Sequence, residues 1–121
     1  MGKRVLIVDD SLYMRTVIKE TLLGAGYIIV GEAANGESAI DLAMELKPDL
    51  ITLDNILPDM IGIDILRVLK EEEKLDSKII MISAVGQESV IQEGLRLGAS
   101  DYIVKPFTNE DLIEKTNKVM L

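Results

Sequence analysis

Five polar residues follow directly on four short apolar runs of this sequence. The run Val5–Val8 is followed by Asp9 and Asp10, Leu50–Leu53 by Asp54, Ile79–Ile82 by Ser83, and Tyr102–Val104 by Lys105. If the runs are strands of one parallel sheet, three carboxylates, a hydroxyl and an ammonium meet at its carboxyl edge, where open α/β sheets bind ligands. Carboxylates about 4 Å apart repel by roughly 4 kcal/mol per pair at an effective dielectric near 20. Three of them beside one lysine therefore raise their own pKa values or hold a cation. A hard, oxygen-seeking ion meets that demand, and Mg2+ suits a few carboxylates together with phosphate oxygens. The chemistry such a site supports is phosphoryl transfer, which needs charge neutralisation and in-line positioning more than a strong base.

Taken singly, each residue has a plainer role. Asp10 or Ser11 could cap a following helix, and Asp54 could be a turn residue ahead of Pro58 and Gly62. Ser83 alone says little, and Lys105 alone reads as a solvated side chain. Their joint placement favours a site. Two absences narrow its chemistry, for the chain has neither Cys nor His. That excludes a thiol nucleophile, a zinc–thiolate site, an imidazole base and a phosphohistidine carrier. It also fits a reducing compartment. Thirteen basic against 21 acidic residues give a net charge of −8, a field that repels nucleic acid and anionic membrane.

The elements that must position these residues can be read from the hydropathy pattern. The length of 121 residues, 48% hydrophobic and 28% charged, fits one globular domain, residues 1–121. Strands are predicted at Arg4–Val8, Ile28–Ala33, Leu50–Leu53, Lys78–Ile82 and Tyr102–Val104. Between them, apolar residues recur at helical spacing, as in Met14, Val17, Ile18 and Leu22, or Leu112, Ile113, Thr116 and Val119. Gly24 and Gly26 are expected to close the first helix, Lys47-Pro48-Asp49 the second and Gly98-Ala99 the fourth, with Asn109 capping the last. Strands alternating with helices give a doubly wound α/β fold, a five-stranded parallel sheet with five helices. The apolar run before Asp9 is too short for a signal peptide, so a soluble, cytoplasmic protein is expected. The Lys70–Lys74 charge run reads as a solvated helix face. Gly31 to Gly36 has P-loop spacing, but Glu37 stands where lysine is required.

The chain resembles the receiver domains of two-component response regulators, most closely single-domain chemotaxis regulators of the CheY type. The matching segments are Val8-Asp9-Asp10-Ser11, Met14-Arg15, Ala34-Asn35-Gly36, Lys47-Pro48-Asp49, Asp54 with Pro58 and Gly62, Ser83-Ala84, Gly98-Ala99 and Lys105-Pro106-Phe107. The resemblance implies the flavodoxin-like strand order 2-1-3-4-5, of which CheY is itself a type example. It implies that Asp54 takes a phosphoryl group from a histidine kinase as an acyl phosphate. Asp10 would bind Mg2+ directly, Asp9 mainly through a coordinated water, and the Ile56 backbone carbonyl would complete the set. Ser83 and Lys105 would hold phosphoryl oxygens, and Pro106 follows Lys105 where the family has a cis peptide. Phosphorylation would draw Ser83 inward and turn Tyr102 into the vacated space, changing the face built by the fourth helix, fifth strand and fifth helix. The plainer reading of Tyr102 is an edge-strand aromatic covering core.

Two positions depart from the family's habit. Ile56 and Val85 are apolar where polar groups are common, and both flank the path of an attacking water. Exclusion of water is expected to slow hydrolysis of the acyl phosphate, read out as the dephosphorylation rate.

Rival functions fit less well. A flavin mononucleotide carrier needs a phosphate-cradling loop after the first strand, which Asp9-Asp10 would repel. An aspartate-nucleophile phosphatase spaces its acidic pair one residue apart. A receiver-like module that is never phosphorylated has no use for Asp54, Lys105 and the acidic pair together. With its end at Leu121 the chain has no expected output domain, so a CheA-type kinase upstream and a motility-apparatus or adaptor protein downstream are the expected partners. A phosphatase is a further one, and a monomer is expected. A phosphorelay intermediate, or a piece of a longer regulator, stays open.

Overall fold

The computed structural model describes residues 2–84 and 86–121. In chain order the elements are β1 (Arg4–Val8), α1 (Leu12–Gly24), β2 (Ile28–Ala33), α2 (Gly36–Leu46) and β3 (Leu50–Asp54). They continue with α3 (Gly62–Arg67), β4 (Lys78–Ala84), α4 (Glu88–Leu97), β5 (Asp101–Lys105) and α5 (Asn109–Val119). A π-helical stretch, Val68–Glu72, prolongs α3. The strands form one sheet in the order β2-β1-β3-β4-β5, and every neighbouring pair is parallel. Among the described residues no helix is long and apolar enough to cross a membrane.

The consecutive apolar residues of the central strands have a direct explanation. Successive strand side chains point to opposite faces, and both faces here are covered. Leu6, Val8, Ile51, Leu53, Ile79 and Met81 pack in one core with Ala39 and Ala43 of α2, Ile65 and Leu66 of α3, and Leu97 of α4. Val5, Ile7, Leu50, Ile80, Ile82 and Ile103 pack in the other with Ile18 and Leu22 of α1 and Leu112 of α5. Each fully buried aliphatic side chain contributes about 1.5–3 kcal/mol relative to exposure, so the register that buries both sets is strongly favoured.

Helix ends follow local chemistry. Ser11 caps α1 by accepting from Met14 N at 3.1 Å, and Asn35 caps α2 by accepting from Ser38 N at 2.9 Å. Lys47 ends α2 in the left-handed conformation (φ 45) and Gly98 ends α4 likewise (φ 117). Gly24 is the last residue of α1, with Gly26 (φ 95) just beyond. The last helix departs from expectation, because its cap is Thr108 and not Asn109. Thr108 Oγ1 accepts from Asp111 N at 3.0 Å while the Asp111 carboxylate accepts from Thr108 N at 3.1 Å. This reciprocal pair satisfies two otherwise orphaned donors where a lone Asn cap satisfies one. Asn109 opens the helix instead, and its Oδ1 accepts from Thr21 Oγ1 of α1 at 3.1 Å.

Three strands also run further than their apolar runs. The ladder continues through Asp54 paired with Ile82, Ser83 with Val104, and Ala84 with Lys105. Polarity ends the hydrophobic signal there, but backbone pairing does not need it. Asp54, Ser83 and Lys105 are therefore held by strand backbone, not by loops.

Candidate functional site

Asp9, Asp10 and Asp54 each offer a carboxylate oxygen, and the three oxygens lie within 4.8 Å of one another. Asp9 is fully buried, Asp54 is 8% exposed and Asp10 faces solvent. The β1–α1 turn that carries the acidic pair is tied down on several sides. Asp9 N donates to Ala33 O at 3.0 Å, extending the pairing with β2, and Asp9 Oδ1 accepts from Ser11 N at 2.9 Å. Arg15 of α1 donates to the Asp9 carbonyl at 2.8 Å and to Glu32 of β2 at 3.1 Å.

Lys105 reaches into the cluster from β5. Its Nζ lies 3.3 Å from Asp9 Oδ2 and 3.4 Å from Asp54 Oδ1. Burial pushes the Asp54 carboxyl above the ordinary carboxylate range, the neighbouring Asp9 charge adds to that, and Lys105 draws it partly back. Asp10 contributes a smaller push in the same direction as Asp9.

Below Asp54 the chain turns tightly into α3. Ile56 and Ile61 form an antiparallel bridge, Leu57 N donates to Met60 O at 3.1 Å, and Gly62 N donates to Asn55 O at 2.5 Å. A Cβ on Gly62 would lie 2.8 Å from Asp54 O and 2.9 Å from Asn55 Cα, so only glycine fits this return. Ile56 is 58% exposed at the rim, and Val85, singled out with it, lies outside the described residues. Ser83 is buried, and its Oγ has no hydrogen-bond partner among the described residues. By strand alternation Ser83 lies on the same face as Met81, and Met81 is the register partner of Tyr102. Tyr102 is half-buried, with Lys115 Nζ 4.8 Å from its ring centroid and 3.0 Å from Asp101. The Lys105–Pro106 peptide is cis.

This donor set suits a hard cation. Oxygen is the only ligand type offered, the acidic charge exceeds what Lys105 neutralises, and the buried Ser83 hydroxyl, without a partner among the described residues, follows directly on Ile82, the register partner of Asp54. The structure thus brings together Asp9, Asp10, Asp54 and Lys105, with Ser83 and Tyr102 on the neighbouring strands β4 and β5 and Ile56 in the loop after β3. Sequence reasoning gave no role to Arg15, although Met14-Arg15 was among the matching segments. Its contact is with a backbone carbonyl, which no spacing rule reveals. Asp59, in the loop between β3 and α3, was also missed, because its partners are the backbone N–H groups of Gly36 and Glu37 at the start of α2.

Comparison with known proteins agrees with this geometry. The family model for the response regulator receiver domain matches residues 5–117. The chain is 48% identical to the chemotaxis protein CheY of Thermotoga maritima over 121 residues, 98% of each chain. It is 42% identical to CheY of Bacillus subtilis over 120 residues, 99% of each. A solved CheX–CheY–BeF3–Mg2+ complex from Borrelia burgdorferi superposes with a TM-score of 0.92 at 33% identity, covering 98% of this chain and 90% of that one.

Proposed function

The chain belongs to the response regulator receiver domain family, and on that premise we propose that it accepts a phosphoryl group on Asp54 from a histidine kinase. The observation that carries this reading is the convergence of the Asp9, Asp10 and Asp54 oxygens within 4.8 Å, with the Lys105 ammonium against Asp54. An Asp54 carboxylate oxygen attacks the donor phosphorus, a phosphorus–oxygen bond forms, and the phosphorus–nitrogen bond to the donor imidazole breaks. The imidazole leaves with the bonding pair and takes a proton from solvent. Asp9, Asp10, Asp54 and the Ile56 carbonyl would hold Mg2+, whose contribution is to neutralise charge on the phosphoryl oxygens.

The chain's own groups do the remaining work. Lys105 keeps a positive charge beside Asp54 as its carboxylate is consumed. Ser83, whose buried hydroxyl has no partner among the described residues, donates a hydrogen bond to a phosphoryl oxygen. Its inward movement frees space on the face shared with Tyr102, and Tyr102 turning inward must leave Lys115. That interaction is worth about 0.5–1 kcal/mol at an exposed site, small enough for phosphorylation to reverse. The altered surface of α4, β5 and α5 then binds a downstream protein. Similarity to CheY supports a chemotaxis role, with a CheA-type kinase, a motility-apparatus or adaptor target, and a phosphatase that resets the signal. The Borrelia complex supports both a protein partner and an Mg2+ site.

Intact mass after incubation with acetyl phosphate tests the reading. A phosphoryl adduct that requires Mg2+ and is absent from Asp54→Asn is expected. No adduct on wild type, even with a cognate kinase supplied, would overturn the assignment.

A further inference from the structure

We propose that Asp59 is a positioning residue for the Mg2+ site, clamping the loop that carries Ile56 onto the amino end of α2. This rests on the reading of Asp9, Asp10, Asp54 and Ile56 given above. Asp59 lies near the tip of the β3–α3 loop, and its two oxygens take separate donors from another element. Oδ1 accepts from Gly36 N at 2.7 Å, and Oδ2 accepts from Glu37 N at 3.1 Å. The first N–H groups of a helix have no partner within it, and they hold the Asp59 carboxyl below its ordinary range, Gly36 first.

Capping alone does not account for this contact. Asn35 already caps α2 from within its own segment, so what Asp59 adds is a tie between elements. Met60 completes the seat by lying directly on Gly36, where a Cβ would come 2.5 Å from its Sδ. Leu57, in the core, and Met60, packed against it, are the loop's other anchors. Ile56, Pro58, Asp59 and Ile61 are exposed, and Leu57 is the side chain buried between them. Its internal bonds make it a closed turn, from the Ile56–Ile61 bridge to the Leu57–Met60 hydrogen bond. Anchoring the tip therefore fixes the whole turn, including the carbonyl of Ile56. Mg2+ demands near-ideal octahedral geometry at about 2.0–2.1 Å, so a carbonyl free to drift is a poor ligand.

The test is Mg2+ affinity by isothermal titration calorimetry, with melting temperature measured alongside. Asp59→Ala is expected to weaken Mg2+ binding about tenfold, the lower end for groups that orient a metal ligand. Asp59→Asn keeps one acceptor oxygen and should fall between it and wild type; it also serves if the alanine variant folds poorly. Asn35→Ala is the control, since it weakens the same helix end without touching the loop. It should lower the melting temperature and leave Mg2+ affinity unchanged. Wild-type affinity in both Asp59 variants, or an equal loss in Asn35→Ala, would overturn the clamp alone. Failure of wild type to bind Mg2+ would instead overturn the site on which the clamp depends.

Discussion

Asp54 stands where the demands of folding and of chemistry oppose each other. Its carboxylate is nearly buried, close to Asp9 and Asp10, and its pKa is raised chiefly by that burial. A raised pKa means the folded state binds this proton more tightly than the unfolded chain does. Stability from this residue is thus highest below the ordinary value of 3.8 and falls as pH rises through the interval up to the shifted one. Asp54→Asn removes the penalty. In chelator at neutral pH the variant should melt above wild type, and the gap should close as the solution is acidified below that interval. A variant that melts lower at neutral pH would show that the acidic cluster is not strained. Asp54 was legible in the sequence as a residue of the sheet edge because it ends an apolar run and three other runs end in polar residues. Arg15 was not legible, because its value lies in a carbonyl it meets only after α1 packs beside β1 and β2.

At the scale of elements, the site depends on how strands end and loops return. The alternation of apolar runs with helical spacing was enough to place all five strands. It could not show that β3, β4 and β5 extend into their polar residues, since hydrogen-bond pairing leaves no mark on hydropathy. The cap of α5 was misplaced by one residue for a related reason. Thr108 and Asp111 act as a pair, and reading Asn109 alone passed over the reciprocal bond. Gly62 is the sharpest element-level constraint. A methyl group there meets the backbone of Asp54 and Asn55, which cannot swing aside as a flexible side chain can. Gly62→Ala should cost about 1–3 kcal/mol, the usual penalty for overpacking, and should displace Asp54, the proposed phosphoacceptor. Denaturant unfolding would give the first effect, and the yield of phosphoryl adduct with acetyl phosphate would give the second. A variant as stable and as readily phosphorylated as wild type would show that the loop absorbs the methyl group.

The whole molecule carries a net charge of −8 and gathers three of its acids at one edge of a sheet whose two faces are packed with aliphatic side chains. The cores supply rigidity, and the edge holds charge that the rigid sheet prevents from dispersing. A cation bound there stabilises the folded state by mass action, because the unfolded chain does not assemble the site. At free Mg2+ ten times its dissociation constant the gain is about 1.4 kcal/mol, roughly 5–6 °C in melting temperature for a domain of this size. Asp54→Asn should begin higher in chelator and gain less from Mg2+, since one of the converging carboxylates is gone. Sodium chloride at matched ionic strength separates site binding from general screening. Screening relaxes repulsion across the whole surface over a Debye length of about 10 Å at 0.1 M salt, whereas Mg2+ acts at one place and saturates. If sodium chloride raises the melting temperature of wild type as much as Mg2+ does, the acidic edge is only a concentration of like charge. A saturable rise with Mg2+, reduced in Asp54→Asn, would make that edge the point through which ion binding, phosphorylation and fold stability are coupled.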